Sequence, residues 1–206
     1  MTVVPAAARR AQVGRAQRVV VAGMCAAAAF LMMAAIRIPL LPQAPFLTYD
    51  PSDAVGLLVG VMYGPATGAM VVLIKDILFL LFLAKGPFGP VADFIAAGTF
   101  VTVTAWAFRR GSGPVSSCLL RAAVLGTAAR VLVMIPVNFP ILALQFGMSP
   151  ARVVRLLWSA IVPFNTIKSV INAGLALVIA EPVARYAAPR LVSALKPEAP
   201  PRSPSC

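Results

Sequence analysis

The sequence contains no histidine, only six acidic residues and only three cysteines in 206 positions. Each shortage removes a class of chemistry. Cys25, Cys118 and Cys206 lie far apart and without His, so neither a zinc site nor a disulfide framework is expected, and no cofactor or metal is expected either. Membrane enzymes of lipid synthesis or proteolysis need clustered acids, a His-containing metal motif or a Ser/His pair, so the chain is not expected to be an enzyme. No GxxxxGK[ST] loop is present, which assigns any ATP hydrolysis coupled to this protein to another chain. The two halves also show no repeated hydropathy of the kind found in many ion-coupled carriers.

Apolar residues fill the space these shortages leave. They make up 60% of the chain against 12% charged, with a mean hydropathy of +0.91, a balance that water cannot solvate as a soluble domain. The apolar runs are long and lack the two-residue alternation of barrel strands, so the expected fold is an all-α integral membrane protein with six transmembrane helices in one bundle. The net charge of +12 is gathered near the ends of those runs. Such bunching sets orientation in the membrane and argues against nucleic acid as a partner.

In chain order, residues 1–18 read as a basic cytoplasmic tail carrying Arg9, Arg10, Arg15 and Arg18, residues 19–188 as the membrane domain, and residues 189–206 as a Pro-rich disordered tail. The first apolar run has no convincing cleavage site after it and is kept as a helix. Spans are expected over 19–37, 52–63, 66–84, 90–108, 118–146 and 162–180, with an interfacial helix over 151–161 holding Arg152, Arg155 and Trp158 at headgroup level. Pro39, Pro42, Pro45 and Pro51 forbid helix across the 38–52 loop, whose apolar content suits a segment folded over a cavity. Arg109-Arg110 and Arg185/Arg190 join the N-terminal arginines on one side, so both termini are expected in the cytoplasm of a cell-membrane protein, with the 38–52 and 85–90 loops outside.

Polar residues inside apolar spans are the functional candidates. In residues 161–180, Asn165, Lys168 and Asn172 are spaced three and four apart and share one helical stripe, which must face protein, water or ligand. The stripe is either an interhelical hydrogen-bond seam or a polar site for a non-lipid ligand. Lys168 needs a ligand carbonyl edge or an internal acid to hold its charge, and Asp93 is the acid best placed for it. Asn138, between Pro136 and Pro140, either rebonds carbonyls freed by the prolines or faces the ligand. Lys75-Asp76 is either a structural ion pair with other helices or a substrate contact. Asp50 and Ser52 read as helix N-caps, a role that also accounts for Asp53. Glycines of the 84–94 segment, Gly86 among them, can bring backbone amides close to a ligand. Ala22, Gly23, Ala26 and Ala27 form two overlapping small-xxx-small pairs, suited to close helix contact within the bundle or with a partner.

Four stretches taken together, PFLTYDPSDAVGLLVGVMYGPATGAMVVLIKD (45–76), GPFGPVADFIAAGTFV (86–101), MIPVNFPIL (134–142) and VPFNTIK (162–168), resemble the substrate-binding S components of energy-coupling factor transporters, the riboflavin group in particular. The likeness runs in order from about residue 24 to 180. It implies a six-helix subunit that captures a vitamin at the outer face and docks through its first helix, by Ala22, Gly23, Ala26 and Ala27, on a membrane T component driven by two ATPase subunits. It also implies that Asn138, Asn165 and Lys168 hydrogen-bond the flavin or its ribityl chain beneath the 38–50 loop. A flat ring with a polar edge and a polyhydroxyl tail calls for an apolar slot with a few amide-type partners, and Phe46, Leu47, Tyr49, Phe88 and Phe139 can line it. The interfacial segment after Gly147 and the Arg-rich N-terminus are longer than the family pattern. Two alternatives stand beside this reading: the same fold serving another vitamin or flavin-related compound, and a structural membrane subunit whose polar stripe only joins helices.

Overall fold

The computed structural model describes residues 6–195, with side chains from 16 to 180. Long helices dominate because the apolar runs leave the backbone no solvent to bond with. They are α1 (Ala6–Ala35), α2 (Ser52–Tyr63), α3 (Pro65–Phe82), α4 (Phe88–Arg110), α5 (Val115–Phe146), α6 (Pro150–Leu156) and α7 (Val162–Leu195). A π-helical turn, Leu157–Ile161, joins α6 to α7. Five runs are long and apolar enough to cross a membrane, namely Ala16–Ala35, Pro65–Phe82, Phe88–Arg110, Val115–Phe146 and Pro150–Ala180. At about 1.5 Å per residue, the 12 residues of α2 span well under the roughly 30 Å of hydrocarbon. Residues 196–206, the greater part of the expected Pro-rich tail, lie outside the described residues, as do residues 1–5 of the expected basic tail.

The short helix α2 is the hub of the bundle and touches α1, α3, α4 and α7. Glycine makes this packing possible. A Cβ on Gly68 would fall 2.6 Å from the Gly60 Cα and 2.7 Å from the Gly56 carbonyl oxygen, so α2 and α3 meet backbone to backbone. Gly64 turns between them at φ 116°, a conformation open to glycine, and Pro65 starts α3 where its missing N–H costs nothing. One core joins α2, α3, α4, α5 and α7 through Leu57, Val72, Ala97, Phe100, Ala123 and Ala176.

Two expectations about local structure are corrected. The 151–161 segment is not a separate interfacial helix; it runs unbroken into α7, with Val153, Leu157 and Ile161 buried against Leu142 of α5 while Arg152, Arg155 and Trp158 stay exposed. The apolar spacing of those three residues aligns them on one face, and burying that face against α5 stabilises the continuous helix. In α1, Ala22 and Ala26 point inward onto Val59 and Val71, whereas Gly23 and Ala27 are exposed. The two small-residue pairs therefore serve different faces, and only the second is open to a partner.

The 38–50 loop carries a two-residue hairpin, β1 (Ile38–Pro39) against β2 (Thr48–Tyr49), antiparallel with Ile38 opposite Tyr49. Gln43 at its tip donates from Nε2 to the Ser159 carbonyl at 3.0 Å. Pro163, four residues on, has no N–H to offer that carbonyl, and the loop supplies the donor instead.

Candidate functional site

Beneath the hairpin, seven charged side chains are buried together. Burial of a charge is tolerated only when partners replace its water, and the partners here come from every layer of the bundle. Lys75 of α3 places Nζ 3.0 Å from Asp53 Oδ1, 2.7 Å from Asp93 Oδ2 and 3.0 Å from Ser52 Oγ. Lys168 of α7 bonds Asp50 Oδ2 and Asp93 Oδ1, both at 2.8 Å, and stands 3.6 Å from Asp53 Oδ2. Arg130 of α5 donates from Nη1 to Asp53 Oδ2 at 3.0 Å and from Nε to Asn165 Oδ1 at 2.8 Å. Asp76 is the outlier: its carboxylate lies 3.5 Å from Lys75 and accepts no hydrogen bond among the described residues.

The neighbouring cavity, about 140 Å³, is lined by a polar set and an apolar set of side chains. Asp50, Asp93, Arg130, Asn138 and Asn165 form the first, while Met33, Phe46, Leu47, Phe79, Phe88 and Phe164 are among the residues of the second. Lining by Thr48 and Asp50, with Tyr49 between them turned away, follows the alternation of an extended strand. At the mouth, Arg37 rests over the Phe79 ring at 4.9 Å and donates to Thr48 Oγ1 at 3.3 Å.

Of the residues expected at a ligand, Asn138, Asn165, Asp93, Phe46, Leu47 and Phe88 meet at this cavity. Asn138 does not rebond a carbonyl freed by Pro136 or Pro140; its Nδ2 donates to the Met134 carbonyl at 2.6 Å. Four other residues expected at a ligand do not line this cavity. Lys168 is off the cavity, its ammonium engaged by Asp50 and by Asp93, the internal acid expected for it. Tyr49 is buried in the hairpin and off the cavity, and Phe139 packs onto the cluster around Leu142. Gly86 sits before α4 in open space, whereas Gly89, the second residue of α4, is the glycine that lines the cavity.

Sequence reasoning missed Arg130 and underrated Asp50 and Asp53. Pro51, not Asp50 or Ser52, occupies the N-cap of α2, and no side chain caps it. Asp50 Oδ1 instead accepts from the Ser52 amide at 3.1 Å and from the Ser52 hydroxyl, while its other oxygen takes Lys168. A signal was available: with Lys75, Arg130 and Lys168 in apolar spans, four of the six acids had to be their partners.

Comparison with known proteins agrees with this architecture. The chain matches the ECF transporter substrate-specific component family over residues 17–183. It is 31% identical over 170 residues to the riboflavin transporter RibU of Staphylococcus aureus (strain TCH60), covering 79% of this chain and 88% of that protein. It is 32% identical over 167 residues to the riboflavin transporter FmnP of Bacillus subtilis (strain 168), covering 76% and 86% respectively. A solved structure described as the S component of a bacterial ECF transporter superposes with a TM-score of 0.75 at 27% identity, covering 84% of this chain and 98% of that one. A buried polar wall under a hairpin, in a bundle of apolar helices that matches over most of its length, identifies the chain as a member of the ECF transporter substrate-specific components.

Proposed function

We propose that this protein captures riboflavin at the outer face of the cell membrane for ATP-driven uptake by partner subunits. The observation that carries the reading is a cavity lined both by apolar side chains and by several polar ones, in a chain similar to two riboflavin transporters. Riboflavin is uncharged, and a site whose own cations are already matched by carboxylates offers little to an ionic ligand but several partners to hydroxyls, amides and carbonyls. Asn138, Asn165 and Asp93 serve the polar edge or ribityl chain, and Phe46, Leu47 and Phe88 flank the ring. Lys168 acts indirectly, by holding the Asp50 and Asp93 carboxylates. Ligand cavities for molecules of this size run to roughly 300 Å³ or more. Admission of the flavin therefore moves the hairpin, whose tip is held through Gln43.

In this reading α2 is a short sixth crossing, both termini are cytoplasmic as the arginine distribution requires, and the exposed Gly23/Ala27 face of α1 meets a T component attached to two ATPase subunits. Purification from cells grown with the vitamin tests the reading. The protein should be yellow and should release flavin absorbance on denaturation; a colourless protein that leaves the fluorescence of added riboflavin unquenched would refute it.

A further inference from the structure

Arg130 is the one cation of the buried cluster that also lines the cavity. Its Nε and one N–H of Nη1 go to Asn165 Oδ1 and Asp53 Oδ2, and Nη2 has no hydrogen-bond partner among the described residues. Asn165 is held from both ends: its oxygen accepts from the guanidinium, and its Nδ2 donates to the Ile161 carbonyl at 2.9 Å. Flipping the amide would set N–H against N–H and carbonyl against carbonyl, so this orientation is locked. One N–H of Asn165 and the Nη2 group of Arg130 are left over. Asp53 neutralises the guanidinium from behind, which leaves a directional donor pair on this part of the wall without an uncompensated positive charge.

We propose that Arg130 is a ligand-contacting, specificity-determining residue, and that with the locked Asn165 amide it reads neighbouring carbonyl-type acceptors on an uncharged ligand. The inference rests on the cavity being the flavin site, and it assigns the carbonyl edge of the ring, not the ribityl hydroxyls, to the α5/α7 wall. The carboxylates of Asp50 and Asp93, which also line the cavity, are left to the ligand's donors.

Binding by the full-length protein in detergent tests this, with riboflavin and with its 2-thio and 4-thio analogues, in which sulfur is the weaker acceptor. Wild type should prefer riboflavin to at least one analogue. Asn165→Asp keeps an acceptor facing Arg130 and removes the spare N–H, but it also sets a carboxylate oxygen against the Ile161 carbonyl, so thermal unfolding is measured beside binding; in folded protein riboflavin affinity should fall about tenfold or more. Arg130→Lys keeps the charge opposite Asp53 yet loses the forked donor, and the preference for oxygen over sulfur should shrink with it. Unchanged riboflavin affinity in a folded Asn165→Asp protein overturns the proposal, as does wild type that does not distinguish the analogues. If neither variant folds, the wild-type comparison of riboflavin with its thio analogues decides alone. A wild-type protein that binds no flavin at all overturns the parent reading, a different result from a wild type that binds while the Asn165→Asp variant binds equally well.

Discussion

Lys168 Nζ lies 2.8 Å from Asp50 Oδ2, joining two residues 118 positions apart in the chain. The contact ties α7 to the foot of the hairpin, and the second bond of the same ammonium, to Asp93, ties both to the start of α4. Three segments that border the cavity are thus held by one side chain, whose ammonium bonds two carboxylates and stands 3.6 Å from a third.

That arrangement predicts the behaviour of Lys168→Met. Methionine replaces the stem but strands two buried carboxylates, a loss of roughly 3–5 kcal/mol for a broken buried pair. Thermal unfolding of the ligand-free protein in detergent should show the effect directly. Unaltered stability with weakened riboflavin binding would instead make Lys168 a ligand donor.

Asp53 and Asp76 are predicted to differ sharply although both are buried acids beside Lys75. Asp53 bonds Lys75 and Arg130, so Asp53→Asn leaves two cations short of a partner and should cost several kcal/mol, on the order of the 3–5 kcal/mol above. The cluster holds four carboxylates (Asp50, Asp53, Asp76, Asp93) against three cations (Lys75, Arg130, Lys168), and Asp76 accepts no hydrogen bond among the described residues. Asp76→Asn removes the surplus charge and should leave stability unchanged or raised. Unfolding midpoints of the two variants, measured side by side, decide the matter, and equal losses would contradict the ranking.

Ala26 and Ala27 are adjacent but are predicted to fail in different ways. Ala26 is fully enclosed by α2 and α3, so Ala26→Trp should overpack the bundle by about 1–3 kcal/mol or more and reduce folded protein. Ala27 is exposed, so Ala27→Trp should leave stability and riboflavin binding intact while blocking close approach of a partner helix, and uptake by cells should fall. Normal uptake with Ala27→Trp would remove this face of α1 from the docking surface.

Much of the fold was legible because membrane burial acts on local composition. Runs such as 66–84 and 118–146 need only their own apolar content to be read as helices, and α3 and α5 fall close to those limits. The prolines of the 38–52 loop excluded helix for an equally local reason. The inward stripe of Asn165, Lys168 and Asn172 was legible too, since three- and four-residue spacing alone puts them on one face, and all three are buried.

What faces that stripe was not legible. Asp50 and Asp53 look like ordinary caps in sequence, and Arg130 looks like a stray charge, because a local reading has no means of bringing positions 53, 130 and 168 together. The inward turn of Ala22 and the outward turn of Ala27 likewise depend on where α2 and α3 lie, not on α1. Sequence by itself determined that this chain is a helical membrane protein with polar residues it must shelter, since the cost of a bare charge or a bare backbone in hydrocarbon is paid residue by residue. Only the tertiary structure decided which charges shelter one another and which polar groups remain for a ligand, because pairing is a property of distances across helices that the order of residues does not contain.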